Sequence, residues 1–541
     1  MVDEVNRHEW QDEAANRSRT DGARLTRREL LSASGGLAAA WATGSAMGPA
    51  PVAHASAHDP ELQERVRRLR SQFFTGPILD RLDLDSLDPA RRPPHSQLGV
   101  VGHFQYADRY PWITPETMLP FVVAAGIKWV RTGLLYDHWD WSTGGPGDQV
   151  RHWVEAELRA GVKPLFTVNN NVNVGTAKEI SGWVDLVRGA VAEWGQDVGA
   201  FMFGNEPGNE IWKNHYGGDY AGGHRVAAYA RFVEEASKQV KAEHPNVTLV
   251  NGVQVEQVAM TQLEQSSPLI DALCMHHYTF KHGLPPEYNP RTADPRFKDF
   301  ATSDPEFART MNDYLRQGRM LLGNPDLQLW MTEVGIPSAA GREFEPDTLE
   351  PMSLTQQAKT VARMLVLGFL AVDKTFVYTL GAQGHDPARE LDNYGLVTDE
   401  VTPKPAYFVL GRISALTGGQ ATPDPRFLAT VSRFEGGALP TYVKQIGSPV
   451  ARLVKERIEA KRFVTGDGRG LVAIWSSAPP RERFPARQAT FAVTTSLGAR
   501  PLVVDPLTGS SQVLQTHPGP SGTTLFKLDV ADYPRFVLED S

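Results

Sequence analysis

Two segments decide how the fold of this chain is interpreted: Gly199-Ala-Phe-Met-Phe-Gly-Asn-Glu-Pro207 and Leu327-Gln-Leu-Trp-Met-Thr-Glu-Val-Gly335. Each is a short apolar run, typical of a buried β-strand, that ends in a glutamate followed by a Gly or Pro turn. When parallel strands close into a barrel, the side chains at their carboxyl ends meet over one face, where barrel active sites lie. We therefore expect Glu206 and Glu333 to face each other, although they are far apart in the sequence.

Strand-like segments rich in Val, Ile, Phe or Tyr recur between about residues 97 and 385. The eight are Leu98–Phe104, Ile127–Gly133, Lys163–Val168, Ala200–Gly204, Val247–Val255, Ile270–Tyr278, Leu327–Thr332 and Lys374–Leu380. Helical periodicity separates most of them, as in Ser181–Trp194 and Ser353–Val372. This alternation predicts a parallel (β/α)8 barrel. A doubly wound open sheet is the alternative, and it is weakened because no Gly-rich phosphate loop follows the first strand.

The C-terminal part of the chain has a different pattern. After Gly418 the helical periods largely cease, and short strand-like runs between Gly, Pro, Asp and Ser turns predict an antiparallel β-sandwich. We place the barrel domain at residues 58–418 and the sandwich at residues 419–541. Because no linker separates the two, the sandwich is expected to support the barrel rather than to act as an independent binding module.

Composition limits the classes of partner. The 541 residues are 41% hydrophobic and 22% charged, with 55 basic and 63 acidic residues, which is a normal globular composition with a slight acidic excess. No basic stripe with interleaved aromatic residues is present, so a nucleic acid partner is not expected. Cys274, the only cysteine, lies in an apolar run. We expect it to be buried, and a large core rather than a disulfide must stabilise the protein.

Residues 1–57 are typical of a targeting segment. Arg27 and Arg28 precede a weakly apolar stretch rich in Gly, Ser and Ala, and Ala55-Ser-Ala57 offers a small-residue cleavage site. The paired arginines resemble a bacterial twin-arginine export signal. The stretch is too broken by glycines to span a membrane, so we predict cleavage after contact with the twin-arginine machinery and an extracytoplasmic location. Retention of the segment as an anchor is the alternative.

The two glutamates suggest a specific chemistry. Cleavage of a glycosidic bond requires one carboxylic acid that protonates the leaving oxygen and one carboxylate that attacks the anomeric carbon or activates water. The sequence contains no phosphate loop, no Gly-x-Ser-x-Gly nucleophile turn and no zinc-binding helical His pair, because His276 and His277 are adjacent. No metal and no cofactor are therefore expected.

The layout resembles the retaining glycoside hydrolases of clan A, nearest to family 39 or family 5. In those enzymes the acid/base ends strand four within Asn-Glu-Pro, and the nucleophile ends strand seven. The resemblance covers roughly residues 97–418 and implies that Glu206 is the acid/base, Glu333 the nucleophile and Asn205 a ligand of the sugar 2-hydroxyl. Arg131 at the end of strand two matches an arginine that the clan often keeps near the nucleophile.

Further residues at strand ends extend the predicted substrate site. His276 and Tyr278 match a His-x-Tyr pattern of the clan at strand six, whereas His277 alternates to the opposite side of the strand and is expected to be structural. Many clan members have a tryptophan at the end of strand eight, and here Tyr378 is the aromatic candidate, so the shape of that subsite differs. Other candidate sugar contacts are His103, Asn169 and the weaker Gln254, and candidate stacking platforms on the loops are Trp139, Trp141, Trp212 and Tyr216.

These observations predict an exported retaining glycoside hydrolase that acts on an oligo- or polysaccharide by double displacement. A transglycosylase with the same residues is one alternative, and a non-catalytic carbohydrate-binding barrel is the other. Barrel loops determine which sugar and linkage fit, and the long insert Phe280–Arg309 after strand six is expected to wall the groove.

Overall fold

Eight parallel β-strands close into a barrel in the computed structural model, which describes residues 60–169, 177–206, 224–252, 268–279, 285–287, 307–339, 352–435, 441–445, 451–485 and 487–540. The strands are Leu98–Val101 (β1), Trp129–Leu135 (β2), Lys163–Asn169 (β3), Ala200–Phe203 (β4), Leu249–Val250 (β5), Ala272–His277 (β6), Gln328–Val334 (β7) and Lys374–Val377 (β8). Each overlaps a segment expected from the sequence, so the predicted barrel is confirmed. The proposed export segment, residues 1–57, lies outside the described residues.

The barrel closes at β1, which pairs with β8 on one side and with β2 on the other. Leu98 lies opposite Thr375, and Val101 lies opposite Arg131. Around the barrel the strands follow the order of the chain, and each pairs in parallel with the next. A closed ring leaves no sheet edge, so the doubly wound open sheet is excluded.

Helices surround the barrel and separate most of its strands. Those within the described ranges are Pro60–Arg70 (α1), Pro115–Ala124 (α2), Asp148–Arg159 (α3), Ala177–Trp194 (α4), His224–Glu243 (α5), Phe307–Leu322 (α6), Leu354–Ala371 (α7) and Pro405–Thr417 (α8). A capping box at Ser353 begins α7, and Gly418, at φ +66°, ends α8 in the left-handed conformation that favours glycine. Among these helices none combines the length and the apolar character needed to cross a membrane.

The barrel interior is filled by a small apolar cluster. Its members are Val101, Trp129, Leu165, Ala200, Met202, Val250, Ala272, Cys274, Trp330 and Phe376. Cys274 is thus buried as the sequence predicts, and burial raises the pKa of its thiol. The interior is therefore a packed core, and any substrate must bind above it at the mouth of the barrel.

The C-terminal region is an antiparallel sandwich, as predicted. Its strands are Ala421–Pro423 (β9), Ala429–Phe434 (β10), Thr441–Gln445 (β11), Ala451–Lys455 (β12), Ile458–Thr465 (β13), Gly470–Ser476 (β14), Arg487–Val493 (β15), Leu502–Val504 (β16), Ser511–Val513 (β17), Thr516–Pro518 (β18), Thr524–Val530 (β19) and Arg535–Leu538 (β20). One sheet has the order β9-β13-β14-β20-β16-β17, the second has the order β10-β15-β19-β18, and β11 and β12 form a separate hairpin.

β14, a central strand of the six-stranded sheet, is buried along its whole length, which explains why residues 471–475 are continuously apolar. Alternate residues such as Val472 and Ile474 form the core between the two sheets. Their neighbours Leu471 and Trp475 belong instead to the large cluster that includes the barrel helices. The sandwich and the barrel therefore share one apolar core.

Candidate active site

Two unusual backbone conformations carry Glu206 out of β4. Met202 faces the barrel interior and Phe203 packs toward the helices, as strand alternation requires. The chain then turns at Gly204, whose φ of +73° suits a residue without a side chain. Glu206 itself has a φ of +46°, which is uncommon outside glycine, and such backbone strain clusters at functional sites.

Glu333 reaches the mouth because β7 contains a bulge. The pairing of β6 with β7 shifts by one residue between Met275–Met331 and His276–Glu333. In a regular strand Glu333 would share the helix-facing side of Met331. The extra residue, Thr332, removes this constraint, so that Thr332 faces the interior and Glu333 also points into the barrel mouth.

Two donors converge on the Glu333 carboxylate. The Arg131 guanidinium forms an ion pair with Oε1, and both side chains are buried, at 5% and 10% exposure. The Tyr278 hydroxyl donates to Oε2 at 2.8 Å. Burial raises the pKa of Tyr278, so this hydroxyl remains a donor at neutral pH. Charge-assisted bonds of this kind favour the ionised form of a carboxyl group.

Arg131 is itself held in place by the neighbouring strands. Its Nε donates to Thr167 Oγ1 at 2.8 Å, and Nη2 donates to Asn205 Oδ1 at 2.6 Å. The arginine therefore connects β2, β3, the turn after β4 and β7. This network fixes the orientation of Asn205 next to Glu206, and it places Arg131 beside Glu333, where the sequence predicts it.

His276 lies between the two carboxylates. Its Nδ1 is 2.6 Å from Glu206 Oε1 and 3.3 Å from Glu333 Oε2, and its side chain is 3% exposed. One carboxylate oxygen of Glu206, one of Glu333 and a ring nitrogen of His276 all lie within 4.8 Å of one another. The two carboxyl groups thus share one small site, but their partners differ, since an arginine and a tyrosine bind one and a histidine binds the other.

Among the described residues, the side chains of Glu206, His276 and Glu333 lie close enough together to offer ligands to a metal ion. The guanidinium of Arg131 already balances the charge of Glu333. The carboxylate of Glu206 is engaged by His276. Both oxygens of Glu333 and Oε1 of Glu206 are therefore engaged by protein contacts that a cation would have to displace, whereas His276 Nε2 has no hydrogen-bond partner within the described residues.

Aromatic residues form one wall of the site. The Tyr378 ring packs edge to face with His103, at 5.4 Å between ring centroids, and with Tyr394, at 5.1 Å. Gln383 Nε2 donates to the Tyr378 hydroxyl at 2.8 Å. Burial lowers the pKa of His103 to about 4, so its imidazole is neutral at physiological pH. His103 and Tyr378 therefore lie in the site as the sequence predicts.

Three residues of this site escaped prediction. Thr167 supports Arg131, whereas Gln383 and Tyr394 support the aromatic wall. Alternation along β3 gave a signal for Thr167, because it shares a strand face with Leu165 of the barrel interior. Gln383 and Tyr394 lie in the irregular segment between β8 and α8, where no periodicity identifies inward-facing residues.

The expectation that Trp139 forms a sugar platform is wrong. Its side chain is 5% exposed and belongs to the main core cluster. The indole lies against Gly189 of α4, where a Cβ would come within 2.3 Å of the ring, so glycine is required there. Its neighbour Trp141 is 40% exposed and stacks on Tyr136 at 4.2 Å between ring centroids. Of these two tryptophans, Trp141 presents an open face.

Several predicted contacts lie outside what the structure describes. Asn169 ends β3, and its backbone pairs with Leu135, but its side chain is outside the described set. Trp212, Tyr216 and Gln254 lie outside the described residues, as does most of the insert Phe280–Arg309. His277 is described, and it faces away from the mouth as expected, with Nε2 donating to the Pro286 carbonyl at 2.9 Å.

No protein-family model and no curated protein matches this chain. A family 39 glycoside hydrolase from the gut symbiont Bacteroides cellulosilyticus WH2 has a similar structure, with a TM-score of 0.53 and 16% identity over 84% of this chain and 82% of that one. A glucosidase from Croceicoccus marinus gives 0.48 and 12% over 82% and 95%. A GH30 endoxylanase from Clostridium papyrosolvens C71 gives 0.46 and 12% over 83% and 97%.

The first of these similarities concerns the fold. It extends over most of both chains and therefore includes the C-terminal sheets as well as the barrel. The resemblance to clan A glycoside hydrolases near family 39 is thus confirmed at the level of the fold. At this identity, activity and substrate have to be argued from the residues of the site.

Proposed function

We propose that this protein is a retaining glycoside hydrolase in which Glu333 is the nucleophile and Glu206 is the acid/base. The observation that carries the proposal is the pair of carboxyl groups at the barrel mouth, with oxygens within 4.8 Å of each other and with different partners. Retaining enzymes hold these groups roughly 5–5.5 Å apart, whereas inverting enzymes leave roughly 6.5–9.5 Å for a water molecule. A gap of at most 4.8 Å between one oxygen of each group is compatible with the retaining separation, and it supports direct attack by a carboxylate.

The proposed first step breaks the glycosidic bond. Glu333, ionised beside Arg131, attacks the anomeric carbon, and its oxygen forms an ester bond with the sugar. Glu206 donates its proton to the leaving oxygen as the C–O bond breaks. Asn205 is in position to contact the sugar 2-hydroxyl, because Arg131 fixes its Oδ1 and leaves its amide nitrogen available.

The proposed second step returns the enzyme to its initial state. Glu206, now ionised, accepts a proton from water, and the water oxygen attacks the anomeric carbon and releases Glu333. His276 is 2.6 Å from Glu206 and 3.3 Å from Glu333, so it contacts the acid/base in both steps. If a sugar hydroxyl replaced water in this step, the same residues would catalyse transglycosylation.

We also propose export by the twin-arginine route, from the paired arginines Arg27 and Arg28 and the small-residue site that follows them. The domain bounds 58–418 and 419–541 are part of this proposal. The second bound is supported by the positions of α8, which ends at Thr417, and β9, which begins at Ala421. The substrate is proposed to be an oligo- or polysaccharide.

Release of reducing sugar from a broad panel of polysaccharides tests the proposal, with Glu333→Gln measured in parallel. We expect the wild type to release sugar from at least one glycan and the variant to be inactive on it. Tight binding of a glycan with no turnover at any pH would favour the carbohydrate-binding barrel. Products longer than the substrate would favour the transglycosylase.

A further inference from the structure

We propose that the C-terminal sandwich positions β6, the strand that leads to His276 and Tyr278, through a buried clamp formed by Glu287, Arg363 and Trp475. These three residues are named the Glu287 clamp below. The predicted effect of the clamp on catalysis rests on the proposed function. The predicted effect of the clamp on the mobility of β6 does not depend on that function.

The Glu287 clamp connects three parts of the molecule. Glu287 lies in the loop after β6, Arg363 on α7 and Trp475 on β14 of the sandwich. Arg363 Nε donates to Glu287 Oε1 at 2.8 Å, and a second guanidinium nitrogen binds Oε2. The Trp475 indole N–H also donates to Oε1 at 2.8 Å. All three residues are at most 2% exposed.

Short contacts connect the clamp to the end of β6. The backbone N–H of Phe307, the first residue of α6, donates to the Glu287 carbonyl at 2.8 Å. His277 Nε2 donates to the carbonyl of Pro286, the residue before Glu287, at 2.9 Å. The His277 ring also packs on Phe307 at 4.4 Å between centroids. The base of the insert after β6 is therefore fastened to the strand from which it leaves.

His277 is the residue through which this arrangement reaches the site. It lies in the chain between His276 and Tyr278, which bind Glu206 and Glu333 at 2.6 and 2.8 Å. A displacement of His277 moves both neighbours, because the three share one stretch of backbone. A shift of about 1 Å in catalytic geometry lowers rates by as much as about 100-fold. Trp475 is accordingly a positioning residue, 188 residues from the loop it holds.

The chemistry of the clamp favours this role over simple stabilisation. A buried ion pair has to offset the desolvation of both charges, so its net contribution to stability is often small, and hydrophobic replacements are often tolerated. What such a pair supplies is a defined geometry, since a bidentate arginine and an indole N–H fix the carboxylate in direction as well as distance.

Trp475→Phe is the variant that tests the proposal, because it removes the indole N–H and keeps an aromatic ring in the core. Trp153→Phe is the matched control. Trp153 is 2% exposed, and its indole N–H has no hydrogen-bond partner within the described residues, so the same substitution there breaks no clamp. Hydrogen–deuterium exchange of the peptide that contains residues 272–279 is measured for both variants, together with kcat and KM.

We expect exchange in this peptide to be about 10-fold faster in Trp475→Phe than in the wild type, and unchanged in Trp153→Phe. On any glycan that the wild type cleaves, kcat should fall about 10-fold while KM stays within about twofold, since the shifted contacts act on the catalytic carboxylates. Glu287→Gln weakens the same clamp from the loop side and should give the same pattern.

Unchanged exchange of β6 in both clamp variants would overturn the proposal. Arg412→Lys separates the clamp from sandwich docking in general, because Arg412 binds the carbonyls of Pro506 and Leu507 at another part of the same interface. If β6 exchanged as fast in Arg412→Lys as in the clamp variants, the proposal would also be overturned. If the wild type cleaves no glycan but the exchange result holds, the proposed function fails and the clamp stands.

Discussion

Two buried arginine–glutamate pairs in this molecule are built alike and differ in what surrounds them. Arg131–Glu333 lies at the barrel mouth, and Arg363–Glu287 lies where the sandwich meets the barrel. In each, an aromatic side chain donates a further hydrogen bond to the carboxylate at 2.8 Å, from Tyr278 in one and from Trp475 in the other.

The difference lies in the groups that remain available. Arg363 directs its remaining donor to backbone carbonyls, those of Ala478 at 2.6 Å and Asp532 at 3.4 Å. Beside Glu333, in contrast, His276 and a second carboxyl group lie within 4.8 Å. The donors of both arginines are engaged by protein groups, so the pairs differ in the ionisable neighbours of Glu333, which acid–base chemistry requires.

The largest effect is expected from Glu333→Gln, which keeps the shape of the side chain and removes the charge. Turnover should fall by about 10⁴-fold or more, because the proposed nucleophile is lost. The free energy of unfolding should also fall, because buried Arg131 loses its counter-charge and keeps only the neutral acceptors Asn205 and Thr167. Initial rates and guanidinium unfolding measure the two quantities. A loss of less than 100-fold would mean that another group attacks the sugar.

The same substitution in the other pair should lower stability as well, but it should lower turnover by only about 10-fold, because it loosens β6 and leaves both carboxyl groups of the site in place. Glu287→Gln leaves Arg363, which is fully buried, without a counter-charge, and breaking a buried pair in this way costs about 3–5 kcal/mol. Guanidinium unfolding again provides the measurement. Glu482→Gln is the control at the same interface, because that exposed carboxylate accepts from Thr355 at 2.8 Å and should contribute less than about 1 kcal/mol. Equal losses in the two variants would contradict the comparison.

The sequence predicts one of these pairs better than the other. Arg131 and Glu333 each follow an apolar run, and strand ends of a barrel converge, so their proximity can be inferred from alternation and closure. Glu287 lies in an irregular loop, 76 residues from Arg363 and 188 from Trp475, and no local pattern connects the three. Buried charges in loops are found only when the partners are seen together.

The orientation of side chains was harder to predict than their position. The bulge at Thr332 changes the side of β7 on which the Glu333 side chain lies, and the residue types of β7 do not indicate a bulge. Trp139 was expected on an open loop, but packing against Gly189 removes it from the site. Fold and strand ends followed from hydrophobic periodicity, whereas these details depend on tertiary packing.

The aromatic donors allow a sharper test. Tyr278→Phe removes one hydrogen bond to a charged acceptor, worth about 1.5–3 kcal/mol, so kcat should fall about 10- to 100-fold. Tyr407→Phe is the matched control, because that buried hydroxyl donates to the Phe121 carbonyl at 3.0 Å, away from the mouth. Steady-state kinetics should leave the control at wild-type kcat. A similar fall in both variants would indicate a general packing effect.

A third buried carboxyl group, that of Glu157, has no charged partner among the described residues and gives the smallest expected effect. Glu157 on α3 is 0% exposed, and neither of its oxygens has a hydrogen-bond partner within the described residues. Burial raises the pKa of Glu157 well above its usual value, so the folded protein holds this group protonated. Protonated Glu157 therefore contributes to the stability of the folded protein below pH 4.5, the ordinary pKa that the group has in the unfolded chain. This contribution is lost as the pH rises through the higher pKa that Glu157 has in the folded protein.

Glu157→Met should remove this pH-dependent loss of stability. We expect the variant to be more stable than the wild type by about 2 kcal/mol already at pH 4, the order of a buried unpaired polar group, and we expect this difference to grow as the pH rises toward 8. Guanidinium unfolding across this pH range tests the expectation. A constant difference at all pH values would mean that Glu157 does not change its protonation on unfolding.

The proposed mechanism depends most directly on the stereochemistry of cleavage. Proton NMR of the first-formed product, recorded before the sugar mutarotates, shows whether the anomeric configuration of the substrate is kept. Double displacement through Glu333 predicts the same anomer as in the substrate. The opposite anomer would mean that water attacks directly, and it would contradict the assignment of Glu333 as nucleophile.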